Sequence, residues 1–351
     1  MTERERFLRN VELRGDGVVP CNVYFSPATW DKYRDDLEQI TKRYPDICEQ
    51  FDHERRQSWN DYPAAYREGE LLEDNWGCVW ENVAGGLEGQ VKTHPMADYA
   101  ALKNYTPPDP LTQTERGERE DWVEIERKME ERRAAGQLVK GHIERFYERV
   151  HFLRGYESFL MDVAEERPEL DELINLVLDH NMKLVHRWLD LKPDLMGFGD
   201  DLGMQDRLQI RPSAWRRYFK TAYTKMFRAC RDAGAHVFFH CDGYIVDVMS
   251  DLIECGVTIL NPQDRCNGLD NIARELKGKI CTHLDLDRQG IIPFGTPAEI
   301  DAHIKECIVK LGSPKGGLSL VSEINPTVSI ENVEAVCNAM IRYREYHAKT
   351  S

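Results

Sequence analysis

The stretch Ala235–Gly243, which reads Ala-His-Val-Phe-Phe-His-Cys-Asp-Gly, is an apolar strand that ends abruptly in polar side chains. His240, Cys241 and Asp242 follow one another there, and an imidazole, a thiol and a carboxylate each bind metals or transfer protons. In parallel α/β proteins catalytic residues gather where strands end, so this stretch predicts a site at one rim of a sheet. A strand-to-loop turn with a hydrogen-bonded histidine is the alternative interpretation.

Strands and helices alternate on both sides of this stretch. The predicted strands are Val18–Phe25, Leu138–Glu144, Leu195–Gly199, Val237–Phe239, Val257–Leu260, Ile280–His283 and Leu318–Val321. The predicted helices include Phe146–Leu153, Glu169–Leu191, Pro212–Ala233, Ile245–Cys255, Leu269–Lys277 and Thr296–Leu311. Alternation of this kind in 351 residues predicts an α/β fold, a single (β/α)8 TIM-barrel domain over residues 1–351. A doubly wound open sheet is the alternative architecture.

Polar side chains at the ends of nearly all these strands favour the barrel. In an open sheet only the strands beside the switch point need such ends, whereas all strands of a barrel share one mouth. We therefore expect one mouth to be surrounded by His142, Asp201, His240, Asp242, Gln263, His283 and Glu323.

Residues 44–135 interrupt the alternation and predict an N-terminal extension or insertion near the mouth. Glu73–Asn82 and Gly85–Val91 predict two short strands joined by a glycine-rich turn, and Glu115–Arg133 predicts a charged, solvated helix. Trp76 and Trp80 in the hairpin indicate either plain packing or an aromatic substrate pocket. Such an insertion covers a barrel mouth or forms a subunit contact, which leaves a homodimer open.

Composition excludes several classes of protein. The net charge of −15 opposes phosphate backbones and anionic lipid surfaces, so we expect neither nucleic acid nor membrane as a partner. No apolar run approaches the roughly 20 residues of a membrane span, and the first residues are too charged for a secretory signal. Ten cysteines without CxxC pairs suit buried thiols in a reducing compartment. We therefore expect a cytoplasmic protein.

Three common motifs are missing from the sequence: a Gly-x-Gly-x-x-Gly turn after a strand, a Walker lysine loop and a Gly-x-Ser-x-Gly elbow. Their absence removes the commonest nucleotide-binding and serine-hydrolase interpretations. What remains is a rim rich in His, Asp, Glu and amide side chains with one thiol. That composition predicts a bound divalent metal or acid/base catalysis.

The order of motifs resembles the uroporphyrinogen decarboxylase superfamily. The residues that carry the resemblance run from Trp76-Gly77 to the C-terminus and include Phe152–Glu157, Gly199–Gln205, Pro212–Trp215, His240–Gly243, Leu252–Val257, Asn261–Gln263, Gly295–Pro297, Gly316-Gly317 and Ile330–Val333. The resemblance implies a (β/α)8 barrel and one of two activities, porphyrinogen decarboxylation or methyl transfer involving corrinoid cofactors.

The decarboxylase branch carries a Met-Arg-Gln-Ala-Gly-Arg sequence in or near the first strand, where arginines grip substrate carboxylates. This chain has Pro20-Cys21-Asn22-Val23-Tyr24-Phe25-Ser26-Pro27 there instead. A tetrapyrrole with many carboxylates needs several cations at the mouth. The resemblance therefore favours the methyltransferase branch.

Corrinoid methyltransferases of this superfamily bind zinc through a His-x-Cys motif and a distant cysteine. His240 matches the histidine, Asp242 stands at the cysteine position with Cys241 displaced by one residue, and Glu323 lies where the last ligand is expected. A set of imidazole and carboxylates leaves Zn²⁺ a harder Lewis acid than thiolates do, better matched to an ether, hydroxyl or phenolate oxygen. The departure predicts demethylation of a methoxylated small molecule, with the methyl group passing to Co(I) of a corrinoid (cobalamin) carried by a separate protein.

Site residues follow from this interpretation. The expected metal ligands are His240, Asp242 and Glu323; the catalytic residues are Asp200, Asp201 and His283; and the substrate-binding residues are Tyr24, His142, Gln205, Asn261 and Gln263. Three alternatives stay open. In the first, the chain is a metal-independent decarboxylase or lyase with Asp200 or Asp201 as proton donor, and in the second it is a metal-free binding protein. In the third, no metal is bound, and Asp242 and Glu323 hydrogen-bond the substrate or orient His240.

Overall fold

The computed structural model describes residues 1–49, 66–85 and 88–349. Strands are numbered here in chain order: β1 Cys21–Phe25, β2 Leu71–Glu73, β3 Val79–Glu81, β4 Gln90–Thr93, β5 Gln113–Thr114, β6 Gly117–Glu118, β7 Lys140–His142, β8 Leu195–Gly199, β9 His236–Cys241, β10 Ile259–Pro262, β11 Cys281–Asp285 and β12 Leu318–Ile324.

The described α-helices are Glu3–Val11, Pro27–Arg43, Trp122–Ala134, Tyr147–Arg154, Tyr156–Glu165, Pro168–Asp190, Pro212–Tyr218, Lys220–Asp232, Met249–Cys255, Asp264–Asn267, Leu269–Leu276, Ile291–Phe294, Pro297–Leu311, Ile330–Tyr343 and Tyr346–Lys349. Short 3-10 helices cover Tyr99–Asn104 and Val246–Val248. In the ranges that the structure describes, no helix has the length and apolar character needed to cross a bilayer.

Seven strands form one sheet, and their order across it is β1-β12-β11-β10-β9-β8-β7. The pairs β7–β8, β8–β9, β11–β12 and β1–β12 are parallel, and helices separate these strands along the chain. A parallel bridge from Val23 to Cys48 lies at the position that an eighth strand would take beside β1. The fold is therefore the α/β fold of the (β/α)8 barrel class that the alternation predicted.

The chain divides into two compact units, each with its own core. The first comprises residues 1–7, 69–83 and 89–259. Its centre holds the rings of Phe146, Tyr223, Phe227 and Phe239, with Tyr223 to Phe239 centroids 5.5 Å apart in an edge-to-face arrangement. Burying side chains of this size stabilises a fold by about 1.5–3 kcal/mol each.

The second unit comprises residues 8–68, 84–88 and 260–351, as far as these are described. Helices Pro297–Leu311 and Ile330–Tyr343 contribute its buried aliphatic residues, which include Ile304, Ile308, Val333 and Val336. Ser26 caps helix Pro27–Arg43 by accepting a hydrogen bond from the Thr29 amide, and proline occupies the first turn.

Several predicted elements differ from the observed ones. The predicted helix Glu115–Arg133 starts only at Trp122, because residues 113–118 form the β5–β6 hairpin and Asp121 caps the helix. The predicted helix Pro212–Ala233 is two helices, separated at Phe219. The predicted strand Glu73–Asn82 is interrupted by a turn, in which Asp74 accepts hydrogen bonds from the amides of Trp76 and Cys78.

The insertion forms an antiparallel sheet of its own, in the order β2-β3-β4, apart from the parallel sheet. The antiparallel pairing expected between Trp76 and Val91 is thus confirmed, and its position beside the mouth stays a prediction. Residues 86 and 87 of its glycine-rich turn lie outside the described residues. Trp76 and Trp80 are both buried, which favours the packing interpretation.

A buried ion pair ties this small sheet to helix Tyr147–Arg154. Arg149 donates to Asp74 Oδ2 over 2.8 Å, and neither side chain is more than 1% exposed. Arg149 also pairs with Glu115 over 3.0 Å. Breaking such a buried pair by removing one partner costs about 3–5 kcal/mol.

Candidate functional site

Strands β8 and β9 end side by side, and the residues that follow them form a cluster of potential metal ligands. Gly199 is paired with His240 in the parallel register. Successive side chains of a strand point to opposite faces, so His240 and Asp242 share a face and Cys241 points away. Cys241 is fully buried, and its Sγ accepts a hydrogen bond from the Leu202 amide over 3.2 Å. Burial raises the pKa of this thiol well above its usual value, so Cys241 is a neutral residue behind the site.

Asp201, His240 and Asp242 bring their ligand atoms within 4.8 Å of one another. His240 Nε2 lies 3.4 Å from Asp242 Oδ1, and both side chains are about one-third exposed. Two ligands of a tetrahedral zinc ion, each about 2.1 Å from the metal, are roughly 3.4 Å apart. The donor set of these three residues and the spacing of His240 and Asp242 therefore fit Zn²⁺.

Two glycines fix the loops that carry this cluster. A Cβ on Gly243, whose φ is +79°, would lie 2.5 Å from the carbonyl carbon of Gly203. A Cβ on Gly203 would lie 2.4 Å from the Tyr244 nitrogen, and the Tyr244 amide donates to Met204 O over 2.7 Å. The two loops thus pack backbone against backbone, which requires glycine at both positions.

Asp200 is buried and fully engaged in hydrogen bonds. Its Oδ1 accepts from the amides of Phe146 and Glu148, and its Oδ2 accepts from the Tyr223 hydroxyl over 2.7 Å. Burial raises the pKa of this carboxyl to about 6 against the opposing effect of the hydrogen bonds. These contacts fix the position of the Asp200 side chain and keep its carboxyl away from solvent.

Glu148 is a carboxyl beside the cluster whose importance the sequence did not indicate. Its Oε2 accepts a hydrogen bond from the Asp201 amide over 3.2 Å, and Arg145 lies 3.6 Å from its other oxygen. Burial, reinforced by the charge of Asp201, raises the pKa of Glu148 to about 8. Glu148 therefore holds the backbone of Asp201 in place from the neighbouring helix.

Two predicted substrate-binding residues also lie in this unit. His142 is exposed at the end of β7, with its ring 5.3 Å from the Trp188 ring. Gln205 is exposed in the loop between Asp201 and Arg211. Their roles in substrate binding stay predictions.

The second unit holds the remaining predicted residues. His283 Nδ1 lies 2.7 Å from Ser319 Oγ, and Asn261 Nδ2 donates to the His283 carbonyl over 2.6 Å. Glu323 pairs with Arg288 over 2.6 Å and is half exposed. In the parallel register its strand partner is Tyr24, which is exposed. Gln263 is buried directly after β10.

Glu323 as a metal ligand, and all seven residues around one mouth, therefore stay predictions. In the described ranges, the groups of three metal-ligating side chains are Asp201-His240-Asp242 and Asp264-His303-Cys307, and Glu323 belongs to neither. Compared with the predicted ligand set, the first group has Asp201 in place of Glu323. The sequence indicated Asp201 only as a catalytic residue.

Residues that the sequence analysis missed had weak signals. Glu148 and Arg145 follow β7 in a charged run, Glu144-Arg145-Phe146-Tyr147-Glu148, in which strand-end residues are hard to separate from ordinary helix surface. Arg288 follows the acidic end of β11. His303 and Cys307 are four residues apart on one helix, a spacing that places both side chains on the same face.

Comparison with known proteins gives a family and a fold. The family model described as uroporphyrinogen decarboxylase (URO-D) matches residues 149–343, more than half of the chain. The solved structure of a methyltransferase from Methanosarcina mazei is similar over 98% of this chain and 99% of its own, with 17% identity and a TM-score of 0.65. An endo-beta-1,4-xylanase from Gloeophyllum trabeum is more weakly similar, over 64% and 81% of the two chains, with 10% identity and a TM-score of 0.38. No curated protein matches the chain.

Proposed function

Because the chain belongs to the uroporphyrinogen decarboxylase family, we propose that it is a methyltransferase that demethylates a methoxylated small molecule. The methyl group passes from the substrate oxygen to Co(I) of a corrinoid carried by a separate protein. The oxygen–carbon bond breaks with its electron pair left on oxygen, and the Co(I) electron pair forms the new bond to carbon. The shared fold with a protein named a methyltransferase supports this proposal.

The observation that carries the proposal is the cluster of Asp201, His240 and Asp242. One imidazole and two carboxylates within 4.8 Å of one another are a set for a divalent cation. The adjacent thiol of Cys241 points away into the core, so the set contains no sulfur. Zn²⁺ held by these three residues would act as a hard Lewis acid toward an ether oxygen and lower the barrier to its departure.

The surrounding residues hold this set in place. Glu148 accepts the amide hydrogen of Asp201, and the Asp200 amide donates to the His240 carbonyl over 3.2 Å. Asp200, predicted as a catalytic residue, is proposed here as a positioning residue, since both of its oxygens accept hydrogen bonds within the core. Fixed ligands reduce the reorganisation needed when the substrate oxygen becomes an anion.

The charge around the cluster supports methyl transfer over decarboxylation of a polycarboxylate. Asp201 and Asp242 each carry a carboxylate, and the nearby Arg149 is paired with Asp74 and Glu115. Strand β1 offers Asn22 and Tyr24 on its less buried face, where the decarboxylase branch has arginines. A substrate with many carboxylates would meet repulsion here, whereas a neutral ether would not.

Metal analysis and methyl transfer to free cob(I)alamin test the proposal together. The purified chain is incubated without oxygen with cob(I)alamin and methoxylated aromatic compounds, such as 2-methoxyphenol, and formation of methylcobalamin is followed by absorbance. We expect His240→Ala to lose the zinc of this cluster and methyl transfer while staying folded. His186→Ala, a change at an exposed histidine on helix Pro168–Asp190, is the matched control and should retain both.

Glu323→Ala separates the two ligand sets. Retention of zinc in this variant favours Asp201 as the third ligand, and loss of zinc favours the set predicted from the sequence. If metal-free wild-type protein still transferred methyl groups after chelator treatment, the metal-assisted mechanism would be wrong. If the protein released CO₂ from a carboxylated substrate without metal, the alternative of a metal-independent decarboxylase would replace it.

A further inference from the structure

A second group of potential ligands lies in the second unit, on elements that the proposed reaction does not use. Asp264 opens the short helix Asp264–Asn267, directly after β10. His303 and Cys307 lie one turn apart on the same face of helix Pro297–Leu311. The ligand atoms of the three residues lie within 4.8 Å of one another.

The three side chains converge on His303 Nε2. This nitrogen lies 2.7 Å from Asp264 Oδ2 and 3.7 Å from Cys307 Sγ. A nitrogen and a sulfur bound to one tetrahedral zinc ion, at about 2.05 and 2.3 Å, are roughly 3.6 Å apart. The nitrogen–sulfur spacing is therefore already that of a zinc site, and only the carboxylate has to move outward, by roughly 0.7 Å.

Burial makes the arrangement costly without a cation. Asp264 is 3% exposed and Cys307 is fully buried. Asp264 Oδ1 is enclosed and accepts no hydrogen bond from any residue that the structure describes, whereas Oδ2 accepts from His303 and from the Asp287 amide. A buried polar atom left without a partner costs about 1–3 kcal/mol.

The single N–H of His303 Nε2 donates a hydrogen bond to the carboxylate of Asp264 or to the sulfur of Cys307, but it cannot donate to both. A divalent cation between the three groups would bond all of them, and if the carboxylate bound it through both oxygens, Oδ1 would also gain a partner. Imidazole, carboxylate and thiolate are together the ligands of Zn²⁺ sites.

We propose that Asp264, His303 and Cys307 form a second Zn²⁺ site, separate from the cluster of Asp201, His240 and Asp242. Binding releases the thiol proton of Cys307 and the proton shared by His303 and Asp264, and no electron is transferred. The ion joins the end of β10 to helix Pro297–Leu311. A small open pocket, lined by Asp264, Cys266 and Asp287 among others, lies beside Asp264.

Cobalt distinguishes the two sites, because only the second contains sulfur. The purified full-length chain is stripped with a chelator and titrated with Co²⁺, and thiolate-to-cobalt charge transfer is followed in the near ultraviolet. We expect this band in the wild type and in His240→Ala, and its loss in Cys307→Ala and His303→Ala. Cys230→Ala is the control, since it removes a buried helical cysteine that belongs to neither cluster.

Metal counting gives a second readout. Wild-type protein should bind two Zn²⁺ per chain, and Cys307→Ala should bind one. Absence of the charge-transfer band in the wild type, or its persistence in Cys307→Ala, would overturn the proposal. If Cys307→Ala fails to fold, Asp264→Asn provides the same test, with at least a tenfold loss of Co²⁺ affinity expected. Failure of the first cluster alone would leave one thiolate-bound metal per chain, so the two proposals fail distinguishably.

Discussion

The Asp242 amide donates a hydrogen bond of 3.0 Å to the carboxylate of Asp201. This contact joins the residue after β9 to the loop after β8, and it orients the Asp201 carboxylate with Oδ1 occupied. The same hydrogen bond therefore fixes the direction in which the other oxygen of Asp201, Oδ2, points.

Asp201→Asn tests this arrangement. The amide oxygen still accepts from the Asp242 N–H, but a neutral side chain is a poorer zinc ligand, so we expect zinc affinity to fall at least tenfold with little loss of stability. Competition titration with a chromophoric chelator measures the affinity. Asp206→Asn is the control, since Asp206 is an exposed residue of the same loop that pairs with Arg207. Equal zinc affinity in the two variants would remove Asp201 from the ligand set.

Gly243→Ala should damage both stability and zinc binding. The residue has φ +79° and no room for a Cβ against Gly203, so we expect a loss of more than about 2 kcal/mol in the free energy of unfolding. Gly234→Ala is the matched control, because Gly234 has φ +86° but nothing within 4 Å of the added carbon. Its cost should be the backbone strain alone, about 1–2 kcal/mol. Urea denaturation compares the two, and similar losses would contradict the close approach of the loops.

Tyr223→Phe removes the hydroxyl that donates to Asp200 Oδ2 in the core. A buried carboxylate that loses a donor is expected to lower the free energy of unfolding by about 1.5–3 kcal/mol. Tyr343→Phe is the control. It removes a hydroxyl that donates to Asp301, a residue that also pairs with Arg342 near the surface. We expect the control to lose less than about 1 kcal/mol in the same denaturation experiment. Equal losses would argue against Asp200 as a fixed point of the fold.

His151 should make stability depend on pH. Burial lowers the pKa of its imidazole to about 3 in the folded chain, compared with about 6.5 when unfolded. Between these values only the unfolded chain binds the proton, so the stability present above pH 6.5 is lost as the pH falls. For this residue we expect a loss of about 2 kcal/mol between pH 7 and pH 5.

His151→Phe should flatten that dependence. The ring lies among Tyr147, Phe152 and Phe159, and its Nε2 is buried without a hydrogen-bond partner among the described residues, so phenylalanine suits the site. Unfolding free energies measured at several pH values for wild type, His151→Phe and His186→Ala give the comparison. A dependence as steep in His151→Phe as in the wild type would contradict the shifted pKa.

Periodicity predicted most of the parallel strands, because a buried strand is a short apolar run that ends in polar residues. Leu195–Gly199 was predicted with its observed bounds. The break at Phe219 was missed, since an apolar pattern continues through it and nothing in the local sequence marks the end of a helix. The β5–β6 hairpin was missed because charged residues at 115–120 are equally typical of a solvated helix.

The residues of the candidate site that follow strands were predicted from the sequence, and those that lie on helices were missed. His240 and Asp242 were found from the apolar strand before them, and Asp201 from the strand beside it. Glu148 lies near Asp201 only because helix Tyr147–Arg154 packs against the end of β8, a contact made by residues 53 positions apart. Asp264, His303 and Cys307 likewise come from separate elements, and spacing along the chain does not indicate such a meeting.

The pairing of Asp74 with Arg149 constrains the order in which the chain folds during synthesis. Asp74 collects hydrogen bonds from Trp76, Cys78 and Trp80, but its charge is compensated by an arginine that emerges from the ribosome 75 residues later. Until then, closing the insertion around Asp74 would bury an unpaired carboxylate. We therefore expect the small sheet to close only after the helix that follows β7 has been made, and nascent chains that end before Arg149 should leave residues 71–83 open to protease.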